Sequence, residues 1–126
     1  MEGRDRLNKI TERVIGIAFE THRTLGPGFN EKIYSNALVE ELKDKNIRHE
    51  REKIIEVNYK DKFIGQQRVD FLIEDEVIVE LKAIETIGGI HIAQILSYLK
   101  TLNKSLGLIL NFAKTRLEIK RVVNKF

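Results

Sequence analysis

The 126-residue chain has no cysteine, no tryptophan, one proline and three histidines. Without cysteine there can be no disulfide, no thiol nucleophile and no thiolate metal site. That absence fits a reducing compartment, and the expected location is the cytoplasm. No apolar run reaches the roughly 20 residues needed to span a bilayer, so no membrane contact is expected. The opening MEGRDRLNKI lacks the apolar core of a secretory signal. His22, His49 and His91 do not fall at ligand spacing, which argues against zinc. No Walker, Rossmann or Ser-His-Asp pattern is present.

What is present suits one domain spanning residues 1–126, with a core from about 7 to 123. Hydrophobic residues make up 42% of the chain, enough for one core, and they recur in every stretch, so disorder is not expected. The net charge of +3 is unevenly spread. Lys100, Lys104, Lys114, Arg116, Lys120, Arg121 and Lys125 face one acid, Glu118, so the last 27 residues carry +6 and the first 99 carry −3. Such a flank is either a solvated surface or an attractor for a polyanion such as nucleic acid. Only Phe112 and Phe126 interrupt it, so no aromatic stacking platform is expected there.

Leu7, Ile10, Val14, Ile17, Ala18 and Leu25 recur at helical spacing, and Gly26-Pro27-Gly28 stops that helix. Asn30 can cap a second helix running to about Lys45. Strands are expected over 48–59, 63–73 and 77–83, with turns at Lys60-Asp61 and Glu74-Asp75-Glu76. A third helix is expected over 90–103, its stripe formed by Ile92, Ile95, Leu96, Leu99 and Leu102. Strands over 106–112 and 117–123 close the chain, and the run GLILNF suits a strand covered on both faces. The order αα-βββ-α-ββ describes an α/β sandwich with a central mixed sheet flanked by helices.

The second and third strands carry the chemistry. Pairing them around Glu74-Asp75-Glu76 sets Val69 against Leu81, Phe71 against Val79 and Ile73 against Val77, giving one apolar face. The other face then sets Asp70 opposite Glu80, with Lys82 following on the same side. Two carboxylates about 5 Å apart at Cβ repel unless neutralised, and a hard cation with oxygen ligands such as Mg²⁺ or Mn²⁺ does this. A metal, an activated water and an ammonium group are what phosphodiester hydrolysis needs. The alternative is a cross-strand ion cluster on an exposed face. The apolar neighbours Leu72, Ile78, Val79 and Leu81 favour covered strands, where unpaired charges cost several kcal/mol.

The pattern D-x9-E-L-K, with G-x-x-E-x-x-Y at 28–34 and Q-x-x-x-Y at 94–98, resembles the GxxExxY family of the PD-(D/E)XK nuclease superfamily. The resemblance runs from about residue 7 to 123, departing at Val69, where the named motif has proline. It implies a restriction-endonuclease-like fold and a Mg²⁺- or Mn²⁺-dependent nuclease, with DNA favoured over RNA. Asp70 and Glu80 would hold the metal with the Leu81 backbone carbonyl, and Glu31 would complete the acidic cluster. Lys82 would position the water and Gln94 would support it. Taken as residues alone, Glu31 shares an inward arc with Tyr34, Leu38 and Leu42 and could equally be a capping group. Tyr34 and Tyr98 read as supporting groups that pack and hydrogen-bond, and hydrogen bonding is an equal reading for Gln94.

His91, at the loop-to-helix junction, and Lys100, Lys114 and Arg116 are the weaker substrate-contact residues. The rival reading is a non-catalytic domain that keeps the fold and binds nucleic acid or a partner. So short a chain has little surface for specificity, so a homodimer or partner protein is a further expectation.

Overall fold

The computed structural model describes residues 2–125, with the backbone alone for Glu2. Met1 and Phe126, at the ends of the expected 1–126 domain, lie outside the described residues. Helix α1 spans Glu2–Leu25, starting five residues before its first apolar contact, Leu7. Gly26 and Gly28, both at positive φ, then turn the chain. Helix α2 spans Glu31–Asp44, and Asn30 caps it by accepting the Ile33 N–H at 3.1 Å.

Strand β1 (His49–Tyr59) and β2 (Lys62–Ile73) form a ribbon closed by Lys60 and Asp61, both left-handed as a tight two-residue turn requires. Strand β3 spans Val77–Lys82, helix α3 Gly89–Leu102, β4 Leu106–Asn111 and β5 Glu118–Val123. Asn103, at φ 56°, ends α3 in the left-handed conformation. The sheet order is β1-β2-β3-β4-β5, and β3 and β4 are its parallel pair. Helix α3 makes the crossover that a parallel pair needs.

Two apolar layers result. Helices α1 and α2 pack through Val14, Ile17, Leu38 and Leu42 on the face carrying Phe71, Val79, Leu81 and Leu108. Helix α3 packs through Ile95, Tyr98 and Leu99 on the face carrying Leu72, Ile78 and Ile109. Every residue of β4 is buried, as expected of a strand covered on both sides. Gly107 lets α3 come close. A Cβ there would lie 2.7 Å from Ile95 Cδ1.

The expected strand register is corrected at one point. Phe71 pairs with Val79, Leu72 with Ile78 and Ile73 with Val77, but the ladder stops there. Val69 does not join Leu81. It is buried in the α3 layer, while Phe71, two residues on, is buried in the opposite layer. The alternation breaks at Asp70, opposite Glu52, which stands at φ 53°. Pairing of β1 with β2 resumes on both sides, with Arg51 against Phe71 and Lys53 against Val69. An assumption of straight strands could not reveal a flip of this kind.

Candidate active site

Where the β2–β3 ladder ends, side chains replace the missing backbone bonds. Glu80 Oε2 accepts the Asp70 N–H at 2.6 Å, and Asp70 Oδ2 accepts the Leu81 N–H at 2.9 Å. Bonds from an amide to a charged acceptor contribute about 1.5–3 kcal/mol each. The splayed strands therefore cradle two carboxylates instead of closing over them.

Glu80 is 5% exposed and Asp70 is half-buried. Burial, reinforced by the neighbouring Asp70 charge, pushes the Glu80 carboxyl up to about 8. Burial also raises Asp70, against the opposing pull of the Leu81 N–H and the Lys82 charge. Tyr98, buried in the α3 layer, has its hydroxyl pushed up to about 12 by burial and then by the charges of Glu80 and Asp70. Lys82 Nζ donates to Gln94 Oε1 at 3.3 Å, linking β3 to the first turns of α3.

The outlying motif residues divide by role. Glu31 is exposed, not inward-facing, and its Oε1 accepts the Ala83 N–H at 3.3 Å, one residue past Lys82. Tyr34 is fully buried. Its hydroxyl donates to Gly26 O at 2.6 Å and accepts the Phe29 N–H at 3.2 Å. Its ring stacks on Phe112 at 4.5 Å. The G-x-x-E-x-x-Y spacing thus pins the loop that places Glu31. His91 is half-buried, and its Nδ1 accepts the Gly88 N–H at 2.9 Å, capping α3. Phe112, expected as one of two aromatics in the basic segment, is fully buried in the core.

The basic segment does not form one patch. Lys100 lies six residues beyond Gln94, about 9 Å further along α3. Lys104 approaches Asp75 in the β2–β3 turn, at 3.8 Å. Lys114 and Arg116 instead follow β4 at the end of the sheet that holds Lys82, and Lys114 Nζ pairs with Glu118 at 3.3 Å.

Asn111, which was not singled out from the sequence, is fully buried at the end of β4, opposite Lys82 in register. Its Oδ1 accepts the Ile84 N–H at 3.1 Å and its Nδ2 donates to Ile84 O at 2.8 Å. An asparagine ending the apolar run GLILNF was the available signal.

The donor set fits a hard divalent cation of modest protein coordination. Asp70 Oδ1 and Glu80 Oε1 accept no hydrogen bond among the described residues, while their partner oxygens are fixed by backbone N–H groups. Both carboxylates are raised despite the Lys82 charge on each and the Arg68 charge on Asp70, so the pair is short of positive charge. Among the described residues no three acidic or imidazole groups converge on one point, so water would complete the shell, as Mg²⁺ tolerates.

A profile of the PD-(D/E)XK nuclease superfamily matches residues 8–122. A solved protein, titled "Crystal structure of SSO0001", superposes with a TM-score of 0.59 at 20% identity, over 75% of this chain and 50% of that one. The chain thus spans about half the length of that protein, and at this identity the likeness is one of fold. No curated protein matches the chain.

Proposed function

The chain belongs to the PD-(D/E)XK nuclease superfamily, and from that membership we propose that it is a Mg²⁺- or Mn²⁺-dependent nuclease, acting on DNA in preference to RNA. The observation that carries this reading is the Asp70–Glu80 clasp with Lys82 beside it. Residues 7–123 act as the catalytic unit. The arrangement of Gly28, Glu31 and Tyr34 supports placement in the GxxExxY group.

When bound, the cation would supply Lewis-acid polarisation of the phosphoryl group and neutralise charge on the leaving oxygen. Asp70 and Glu80 would hold it through the oxygens not committed to backbone N–H groups, with the carbonyl of Leu81, the residue after Glu80, as a further ligand. Lys82 orients the attacking water and offsets charge building on the phosphate. Gln94 steers the ammonium through its 3.3 Å contact. Glu31 fixes the strand exit at Ala83.

Glu80→Gln tests this. The amide oxygen can still accept the Asp70 N–H, so the fold survives, while metal-dependent cleavage of labelled DNA should vanish. Equal cleavage by wild type and variant would remove the proposal. Binding of DNA in EDTA without cleavage in Mn²⁺ would support the non-catalytic alternative. Ile54, Tyr59, Phe63 and Ile64 stand exposed on the β1–β2 ribbon and favour association with a second copy, to be measured by light scattering.

A further inference from the structure

Two clefts open at the end of the sheet that holds Lys82. One, about 560 Å³, is lined by Phe29, Asn30, Glu31 and Ala83 and borders the exit of β3, one residue past Lys82, where Glu31 bonds the Ala83 N–H. The other, about 640 Å³, lies between the last turns of α1 and the loop after β4, lined by Phe19, His22, Arg23 and Arg116. They are joined behind by a run of rings from Phe29 through Tyr34 and Phe112 to His22, in steps of 6.0, 4.5 and 5.9 Å. The backbone of Phe112 bonds Lys82 O at 2.9 Å, so this run abuts the catalytic strand.

Each cleft presents one phenylalanine to solvent, Phe29 at 42% exposure and Phe19 at 50%. Cations lie beside them. Arg23 pairs with Glu20 and Lys32 with Glu52, whereas Arg116 has no ion-pair partner among the described residues. Exposed rings with cations in the same cleft suit a nucleic-acid strand, whose bases stack and whose phosphates need positive charge. A duplex cannot use such rings, because its base faces already cover one another. Unstacked bases can.

We propose that the two clefts form one track for a single strand, with Phe29 and Phe19 stacking bases and Arg116 meeting a phosphate in the outer cleft. The inference rests on the nuclease reading and narrows its substrate to single-stranded ends, flaps or tails. Its span is short enough for a few nucleotides.

The test measures binding in EDTA, so it does not depend on turnover. Fluorescence anisotropy compares a short labelled single-stranded oligonucleotide with a blunt duplex of the same sequence. The single strand should bind more tightly. Phe19→Leu should weaken it at least about fivefold while Phe19→Tyr retains it, because stacking needs a ring face. Arg116→Gln should weaken binding and reduce the slope of log affinity against log salt by about 0.7. Phe19 and Arg116 are exposed, and thermal melting confirms that the variants fold. Equal affinity for both forms, or unchanged single-strand affinity in Phe19→Leu and Arg116→Gln, overturns the track. An apolar contact with a protein gives that second result. Loss of cleavage in Glu80→Gln alongside unchanged Phe19→Leu binding would sink the track and spare the nuclease. The reverse pattern would do the opposite.

Discussion

Glu80 and Asp70 each hold the other's strand by its backbone. Glu80 Oε2 accepts the Asp70 N–H at 2.6 Å, and Asp70 Oδ2 accepts the N–H of Leu81, the residue after Glu80, at 2.9 Å. The site is therefore part of how the β2–β3 ladder ends. The flip that sends Val69 and Phe71 to opposite layers is what frees the Asp70 N–H for this bond. The arrangement sets a buried and a half-buried acid close together, at an electrostatic cost that grows as they ionise.

That cost predicts a pH dependence. Glu80 is raised from 4.5 to about 8, first by burial and then by Asp70. Folded Glu80 binds its proton more tightly than unfolded Glu80, so the folded state holds more protons between these values. The resulting stabilisation is fully present below the unfolded value and is lost as pH rises through the folded one. The upward shift of Asp70 acts with the same sign. In EDTA the melting temperature should fall between about pH 5 and pH 8. Mn²⁺ binds the ionised carboxylates and should raise it more at the upper end. A metal-free melting temperature that climbs across this range would contradict the burial of these acids.

Lys82 lowers both carboxyl groups and contacts Gln94 at 3.3 Å. Lys82→Met should reduce single-turnover cleavage by about 10²–10⁴-fold, the usual cost of losing a positioned proton-handling group. Metal affinity should not fall, since removing an ammonium removes repulsion. Gln94→Ala, which loosens the lysine without deleting it, should cost about tenfold or less. If Lys82→Met acted by weakening metal binding, as isothermal titration would show, its assignment to the water would be wrong.

The parts of this architecture visible in the sequence are those encoded locally. The Asn30 cap, the Gly26-Pro27-Gly28 stop and the Ile95–Leu99 stripe depend on neighbours a few residues away, and each stands where the pattern put it. The buried β4 run was legible because apolar residues fill both of its faces. The flip at Asp70 was not, since strand parity carries no sign of where alternation breaks. The capping role of His91 was not legible either, because its Gly88 bond needs the helix start at Gly89, one residue earlier than expected. The basic tail looked like one flank, yet β4 runs between Lys100 and Lys114 and carries them to different ends of the sheet. The Phe19–Arg116 cleft joins α1 to the loop after β4, nearly a hundred residues apart, and no local pattern marks it.

Tyr34 is predicted to act on stability alone. Its hydroxyl is bonded to Gly26 O and the Phe29 N–H, and its ring lies on Phe112. Tyr34→Phe keeps the ring and leaves those backbone groups without their partner, at about 1–3 kcal/mol. Urea unfolding should show that loss, while cleavage at saturating metal should change by less than about threefold, since one structural bond is at stake and no reacting group. A loss of cleavage beyond the loss of folded protein would place the hydroxyl in the chemistry.

Asn111 should have both effects. Its amide extends the β3–β4 pairing past Lys82 by holding the N–H and C=O of Ile84, at 3.1 and 2.8 Å. It also donates to Glu118 Oε1 at 2.9 Å, the first cause of the lowered Glu118 carboxyl. Asn111→Ala leaves both Ile84 groups half-buried without partners, each costing about 1–3 kcal/mol. Because Ile84 lies two residues beyond Lys82, turnover in the surviving folded protein should fall while metal affinity holds. Asn111→Asp retains the acceptor but exchanges a donor for a charge facing Glu118. It should be less stable than the alanine variant near neutral pH and recover in acid, where the carboxyls protonate. Urea melts of both variants at about pH 7 and about pH 4 check the sign. An alanine variant that melts like wild type would show that water replaces the amide, and that β3 needs no such clamp to present Lys82.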